Sequence, residues 1–212
     1  MKKSILIFVS IFMISCQGNK QDIDLKTKSP EIKIDFNIVN LKSKTLLLEH
    51  FSNEEFENYF KLNEEQTYLR CNNKEFTTKD SIFGTPGFYR MSYDFIFMNE
   101  IQESIDIDFD SLKKVRDFNR DLLLGFRQFA DNRLKISRGE ALKMAAKYQI
   151  NGKDVIIYFK TYRYPTSSPK YKSKDSILYF WHISKECDNC NIVEIDAKSG
   201  KVFFEGKYNY IH

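Results

Sequence analysis

Glycine and proline are scarce, at 8 and 4 of 212 residues, which excludes a fibrous, collagen-like or low-complexity chain. Cysteine is scarce too, at 4 residues, so no dense disulfide framework stands in for a hydrophobic core. The three histidines are His50, His182 and His212, and none forms an HExxH pair. No GxSxG turn or phosphate-cradling glycine loop is present. The formal net charge is only +4, which gives no argument for nucleic acid or an anionic surface as a partner. The apolar stretch Ser4–Phe12 is too short for a hydrocarbon core of roughly 30 Å, which needs about 20 apolar residues. What is abundant is aromatic: 19 Phe and 12 Tyr supply a substantial core for one larger or two small domains.

The amino-terminal stretch is ordered in three parts. Lys2 and Lys3 are followed by the apolar run, and Met13-Ile14-Ser15 then leads with falling side-chain size into Cys16. This reads as a signal peptide over residues 1–15 with a small residue before the cut. A cysteine directly after that residue resembles the lipobox of bacterial lipoproteins, with Met13 where the family usually has Leu. The resemblance implies cleavage before Cys16, which removes two positive charges, and acylation of the thiol and the new amino terminus. Two or three acyl chains suffice for stable anchoring, so the bilayer is the first expected partner. The expected location is the cell envelope, on a periplasmic or outer-surface membrane face. An ordinary secretory signal with a chance cysteine is the alternative.

Three cysteines then remain, Cys71, Cys187 and Cys190, an odd number in a compartment that permits disulfides. For Cys187-Asp188-Asn189-Cys190 the leading reading is a structural disulfide stapling a hairpin tip. A redox pair of this spacing works through a helix N-terminus, whereas this one lies between two strand signals. Pairing of Cys71 with either cysteine is another reading. A zinc site would have His182 as a third ligand and lacks a second ligand pair. Asp106-Ile107-Asp108-Phe109-Asp110 imitates a calcium loop, but Ser111 and Asp117 stand where glycine and glutamate belong. The alternative is an exposed edge strand with Ile105, Ile107 and Phe109 inward. No catalytic residue, metal or cofactor is expected.

Along the chain, residues 16–30 read as a polar tether. Ile32, Ile34, Phe36 and Ile38 alternate as in a half-buried strand. Ser52 and Glu55 form a capping box before Phe56, Tyr59 and Phe60 on one helical face. One or two short strands fall within Thr67–Phe83, a turn at Gly84–Gly87, and a buried strand at Phe88–Met98. From Asp110 or Ser111 the spacing of Leu112, Val115, Phe118, Leu122, Phe126 and Phe129 predicts one long helix. Ser137 and Glu140 open another helix with Ala141, Leu142, Met144, Ala145 and Tyr148. After an Asn151-Gly152 turn, strands are predicted at Val155–Arg163, Ile177–Ser184, Ile192–Asp196 and Lys201–Glu205, with Gly200 in the last turn.

The runs Ile136-Ser137-Arg138-Gly139-Glu140-Ala141-Leu142-Lys143-Met144-Ala145 and Ile192-Val193-Glu194-Ile195-Asp196-Ala197-Lys198-Ser199-Gly200-Lys201-Val202 resemble a PepSY domain over about residues 134–206. The insertion Tyr162–Lys174 and the Cys187–Cys190 pair depart from that pattern. The resemblance implies a binding module of the kind thought to restrain peptidases, and it carries over no catalytic residue. The expectation is an α+β protein: a mixed α/β region at 31–130 that matches no nameable family, and a PepSY-like domain at 134–212 with a helix packed on an antiparallel sheet (PepSY/cystatin-like). Tyr162, Arg163, Tyr164 and Tyr171 mark a flexible hairpin loop or a partner-binding loop, because Tyr and Arg are favoured at contact hot spots. The expected function is non-catalytic binding of an envelope protein or peptidase. Thiol-redox or other enzymatic work through Cys187 and Cys190, and small-molecule binding in an aromatic pocket, are the alternatives.

Overall fold

Capping residues and left-handed turn residues punctuate the chain into short elements. The computed structural model describes residues 32–33, 36–82, 86–163, 177–187 and 189–208, all within a compact unit that spans 31–212. Strand β1 (Ile32–Lys33) is only two residues long, and α1 (Asn37–Leu47) follows it. The alternation read through Ile38 therefore gives way to a helix. Val39, Ser43 and Leu47 recur at four-residue spacing and are buried, while Ile38 and Leu41 are exposed. Burial along the longer 3.6-residue period wins over four alternating positions.

Helix α2 (Asn53–Tyr59) opens on the Ser52–Glu55 capping box. Glu55 N donates to Ser52 Oγ at 3.1 Å and Ser52 N to Glu55 Oε2 at 2.8 Å. Phe60 is not on that helix; it starts β2 (Phe60–Leu62). Three further strands follow, β3 (Tyr68–Cys71), β4 (Lys74–Thr77) and β5 (Ser81–Ile82). Asn72 and Asn73, with φ of 49° and 62°, make the tight turn between β3 and β4. Met98 and Asn99, at 53° and 60°, do the same between β6 (Phe88–Phe97) and β7 (Glu100–Asp110).

The long helix predicted from Asp110 is replaced by a hairpin. The Asp110 carboxylate accepts from Leu112 N and Lys114 N, both at 2.9 Å, and Lys113 turns the chain with φ 58°. Strand β8 (Val115–Phe118) then runs back along β7. Consequently β7 is not an edge strand: β6 lies on one side and β8 on the other. Helix α3 (Arg120–Ala130) begins only after Asn119, whose side chain accepts from Leu122 N at 3.0 Å. Helix α4 (Arg138–Ala145) opens on the Ser137–Glu140 box, and a 3-10 turn, Ala146–Tyr148, ends it. Strands β9 (Val155–Arg163), β10 (Ile177–Lys185), β11 (Cys190–Asp196) and β12 (Val202–Tyr208) complete the chain.

The fold is α+β with antiparallel sheets. One sheet has the order β4-β3-β6-β7-β8, with β2 also paired to β6; the other is the meander β12-β11-β10-β9; β1 and β5 pair separately. Helix α3 lines its aromatic side with rings from both larger sheets. Phe126 stacks on Phe95 at 4.3 Å, and Phe129 lies 5.6 Å from Phe97 and 5.2 Å from Phe159. Phe159 in turn lies 5.0 Å from Trp181, whose Nε1 donates to Ile136 O at 2.8 Å. Residues from 36 to 130 and from 134 to 197 thus share one core.

The start of α4 is tied to β7. Gly139 N donates to Glu100 Oε1 at 3.1 Å and Arg138 N to Gln102 Oε1 at 2.7 Å, so two amides that a helix leaves unpaired find side-chain acceptors. A Cβ on Gly139 would lie 2.7 Å from Glu100 Oε2, which is why glycine suits this position. Burial opposes the Glu100 charge, but the Gly139 N–H, the Ser137 and Gln102 side chains and nearby Arg138 outweigh it and hold the carboxyl below its ordinary 4.5. A carboxylate depressed in this way stabilises the fold above its unfolded pKa, and that stability is lost as pH falls through the folded value. Glu55, lowered by the Ser52 N–H and by Arg127, adds to the same slope. Glu100→Gln is expected to cost about 1 kcal/mol at neutral pH, allowing for solvent screening, and to flatten the loss below about pH 4.5. Urea unfolding across pH 3–7 measures both; an unchanged acid slope would contradict the assignment.

Candidate functional site

Arg163, at the end of β9, is a residue of the predicted loop whose contacts build a recess. Its guanidinium bonds the Asp121 carboxylate in the first turn of α3, with Nε to Oδ2 at 3.2 Å, and this bond raises the Arg163 pKa above its ordinary value. The chain after α3 is then folded back: Leu134 N donates to Gln128 O at 3.3 Å, and Lys135 N and Ile136 N both donate to Ala197 O at 3.0 Å. These bonds bring the α3–α4 loop beside the β11–β12 turn. A cleft of about 630 Å³ lies between them, floored by Leu124, Leu134, Ile177 and Tyr179.

Cations dominate its rim. Among the described residues, Arg133, Lys135, Arg163 and Lys198 contribute four, against the single carboxylate of Asp196. That carboxylate is committed to its own turn, where Asp196 Oδ1 accepts from Lys198 N at 2.8 Å, Ser199 N at 2.6 Å and Ser199 Oγ at 3.0 Å. Arg133 stands 3.8 Å from Asp131 and Arg163 is paired with Asp121. Lys135 and Lys198 have no ion-pair partner among the described residues. Gln128 and Asn132 add amide groups to the lining. An anion carrying an apolar body fits this chemistry: head toward the lysines, body over the leucine and tyrosine floor.

No family model and no curated protein matches this chain. Tyr162 lies beside Arg163 and is half exposed, while Tyr164 and Tyr171, like Cys16, lie outside the described residues. Cys187 and Cys190 are joined by a disulfide, Cα atoms 5.5 Å apart, in the connection between β10 and β11. Cys71, buried at the end of β3, is not part of it.

The calcium-like acids are strand and turn residues. Arg90 holds Asp106 at 3.2 Å and Asp108 at 2.8 and 3.0 Å, and Asp110 caps the β7–β8 turn. Among the described residues no group of three or more His, Cys, Asp or Glu is placed to hold a metal ion. His182 Nδ1 lies 2.9 Å from Glu194 Oε1 and in register with Tyr158 across the sheet. Glu103 passes without signal in the sequence, yet its Oε2 accepts from Phe159 N at 2.9 Å and so covers the edge of β9 from β7. Burial pushes the Glu103 carboxyl up against the pull of the Phe159 and Ser104 amides. The cleft residues Lys135 and Lys198 were equally silent, being ordinary loop lysines until the fold brings 134–135 and 196–198 together.

Proposed function

We propose that this chain is a lipid-anchored, non-catalytic protein of the cell envelope that binds a protein partner in the cleft beside Arg163. The observation that supports this reading most is the cleft itself: two lysines with no ion-pair partner among the described residues, over an apolar floor, next to Tyr162 near the end of β9. Its complement is an acidic segment with an adjacent apolar side chain. The finer fold reading, a PepSY/cystatin-like helix on an antiparallel sheet, draws support from α4 lying against β7, β9 and β10 and from the β9–β12 meander. With it comes the role proposed for PepSY relatives, restraint of an envelope peptidase. Anchoring rests on the Cys16 motif; among the described residues no helix is long and apolar enough to cross a membrane.

Two variants test the two halves separately. Cys16→Ala is expected to move the protein from the membrane to the soluble fraction, and retention in the membrane would contradict the anchor. Lys135→Glu combined with Lys198→Glu, both exposed, should leave folding intact. It should reduce partner recovery by full-length tagged protein from solubilised envelopes at least tenfold, about 1.4 kcal/mol or more. Equal recovery by wild type and variant would contradict the cleft as the site.

A second reading is favoured by the cleft's size, which falls in the range of small-molecule pockets: an amphipathic carboxylate in place of a peptide. Thiol-redox work through Cys187 and Cys190 is the weaker alternative, because the pair spans the turn from β10 into β11 and no described helix begins there to lower a thiol pKa.

A further inference from the structure

The two ends of the meander sheet are treated differently. At the β9 edge, Glu103 accepts the Phe159 amide. At the other end, β12 has no strand beyond it among the described residues. Seven residues long, with Phe203 and Phe204 43% and 46% exposed, it is an open template for another strand. Edges are commonly closed to association by charge, but the charges on this one are of opposite sign and two residues apart. Glu205 and Lys207 are both exposed, and neither has an ion-pair partner among the described residues.

From this pattern we infer that β12 pairs antiparallel with β12 of a second copy of the chain, about a two-fold axis at Gly206. An isologous pair places residue i opposite j and j opposite i. Side chains directly opposite must share a sheet face, so the axis must pass through a residue. At Gly206 it sets Glu205 opposite Lys207 twice. At Glu205 or Lys207 it would set a charge against its own copy. At Phe204 no Glu–Lys pair forms, and at Phe203 Glu205 would face Lys201, which lies before β12 and across the register shift between Phe204 and Val202. Opposite charges in directly facing positions stabilise a strand pair and like charges destabilise it. The Phe204 ring already lies over Gly206, where an added Cβ would be 2.8 Å from its Cζ, so the Gly206 axis brings the two Phe204 rings together on one face. The result is a continuous eight-stranded sheet with its open edges joined. This pairing is independent of the cleft and of its partner.

Sedimentation velocity of the full-length protein in non-ionic detergent micelles tests it, with circular dichroism confirming that each variant is folded. Wild type should dimerise reversibly. Glu205→Lys alone and Lys207→Glu alone should each raise the dimer dissociation constant at least tenfold, since each makes both facing pairs like-charged. An equal mixture of the two single variants restores two Glu–Lys pairs per dimer and should re-associate as wild type does. So should the double variant on its own. A monomeric wild type, single swaps that dimerise undiminished, or a mixture that stays monomeric would each overturn the inference.

Discussion

Phe126→Ala is expected to cost about 3–5 kcal/mol of folding free energy, the range for truncating a buried phenylalanine. Phe126 is fully buried and stacks on Phe95 with an interplanar angle of 4° at 4.3 Å. It also lies 6.2 Å from Phe60 and 6.4 Å from Phe159, so one ring meets two strands of the six-stranded sheet, β2 and β6, and the meander. Truncation removes the transfer energy of the ring and leaves a void between rigid sheets that cannot close on it. Against a total stability of about 5–15 kcal/mol, that loss should lower the Tm by on the order of 10 °C. Calorimetry or guanidinium unfolding decides it. A cost below about 1 kcal/mol would mean that α3 does not hold the two sheets together.

One residue earlier the same helix has the opposite requirement. Gly125→Val should destabilise by about 1–3 kcal/mol, the usual range for overpacking, although valine is the better helix former by a few tenths of a kcal/mol. A Cβ at Gly125 would lie 2.7 Å from Phe159 Cε1 and 3.0 Å from Tyr179. Phe159 is packed between Phe129 and Trp181 and has little room to retreat, so α3 would have to lift off β9 and β10. Tyr179 also floors the cleft, which predicts that Gly125→Val weakens partner recovery as well as stability. A variant as stable as wild type would show that the approach of α3 to the meander is looser than described.

Much of the fold is legible in the sequence because local chemistry and tertiary packing agree there. Both capping boxes form, β6 follows its aromatic run, and the last turn is built by Asp196 and by Gly200, whose φ is 72°. Asp110 shows where agreement ends. An aspartate that accepts amides two and four residues on reads locally as a helix cap, and Leu112, Val115 and Phe118 continue the helical spacing into α3. Only pairing with β7 decides for a hairpin, and Leu112 at 70% exposure shows that the apparent apolar face is not buried. The Ile32–Ile38 alternation holds for β1 at Ile32–Lys33 and gives way to α1 from Asn37, because Val39, Ser43 and Leu47 outweigh it only once the core exists. The cleft was the least legible part. Its walls come from α3, the loop after it, the ends of β9 and β10 and the β11–β12 turn, segments far apart in the chain, and of their side chains only Arg163 belongs to the predicted partner-binding loop.

The anchor and the cleft together make the functional account, and one measurement reaches both. A photo-cross-linking amino acid replacing Leu178, at the cleft wall, is introduced into the full-length protein and irradiated in intact envelopes. One discrete protein adduct is expected, confined to the membrane fraction and lost when Lys135 and Lys198 are changed to glutamate. Absence of any protein adduct, or an adduct unaffected by the charge reversal, would contradict it.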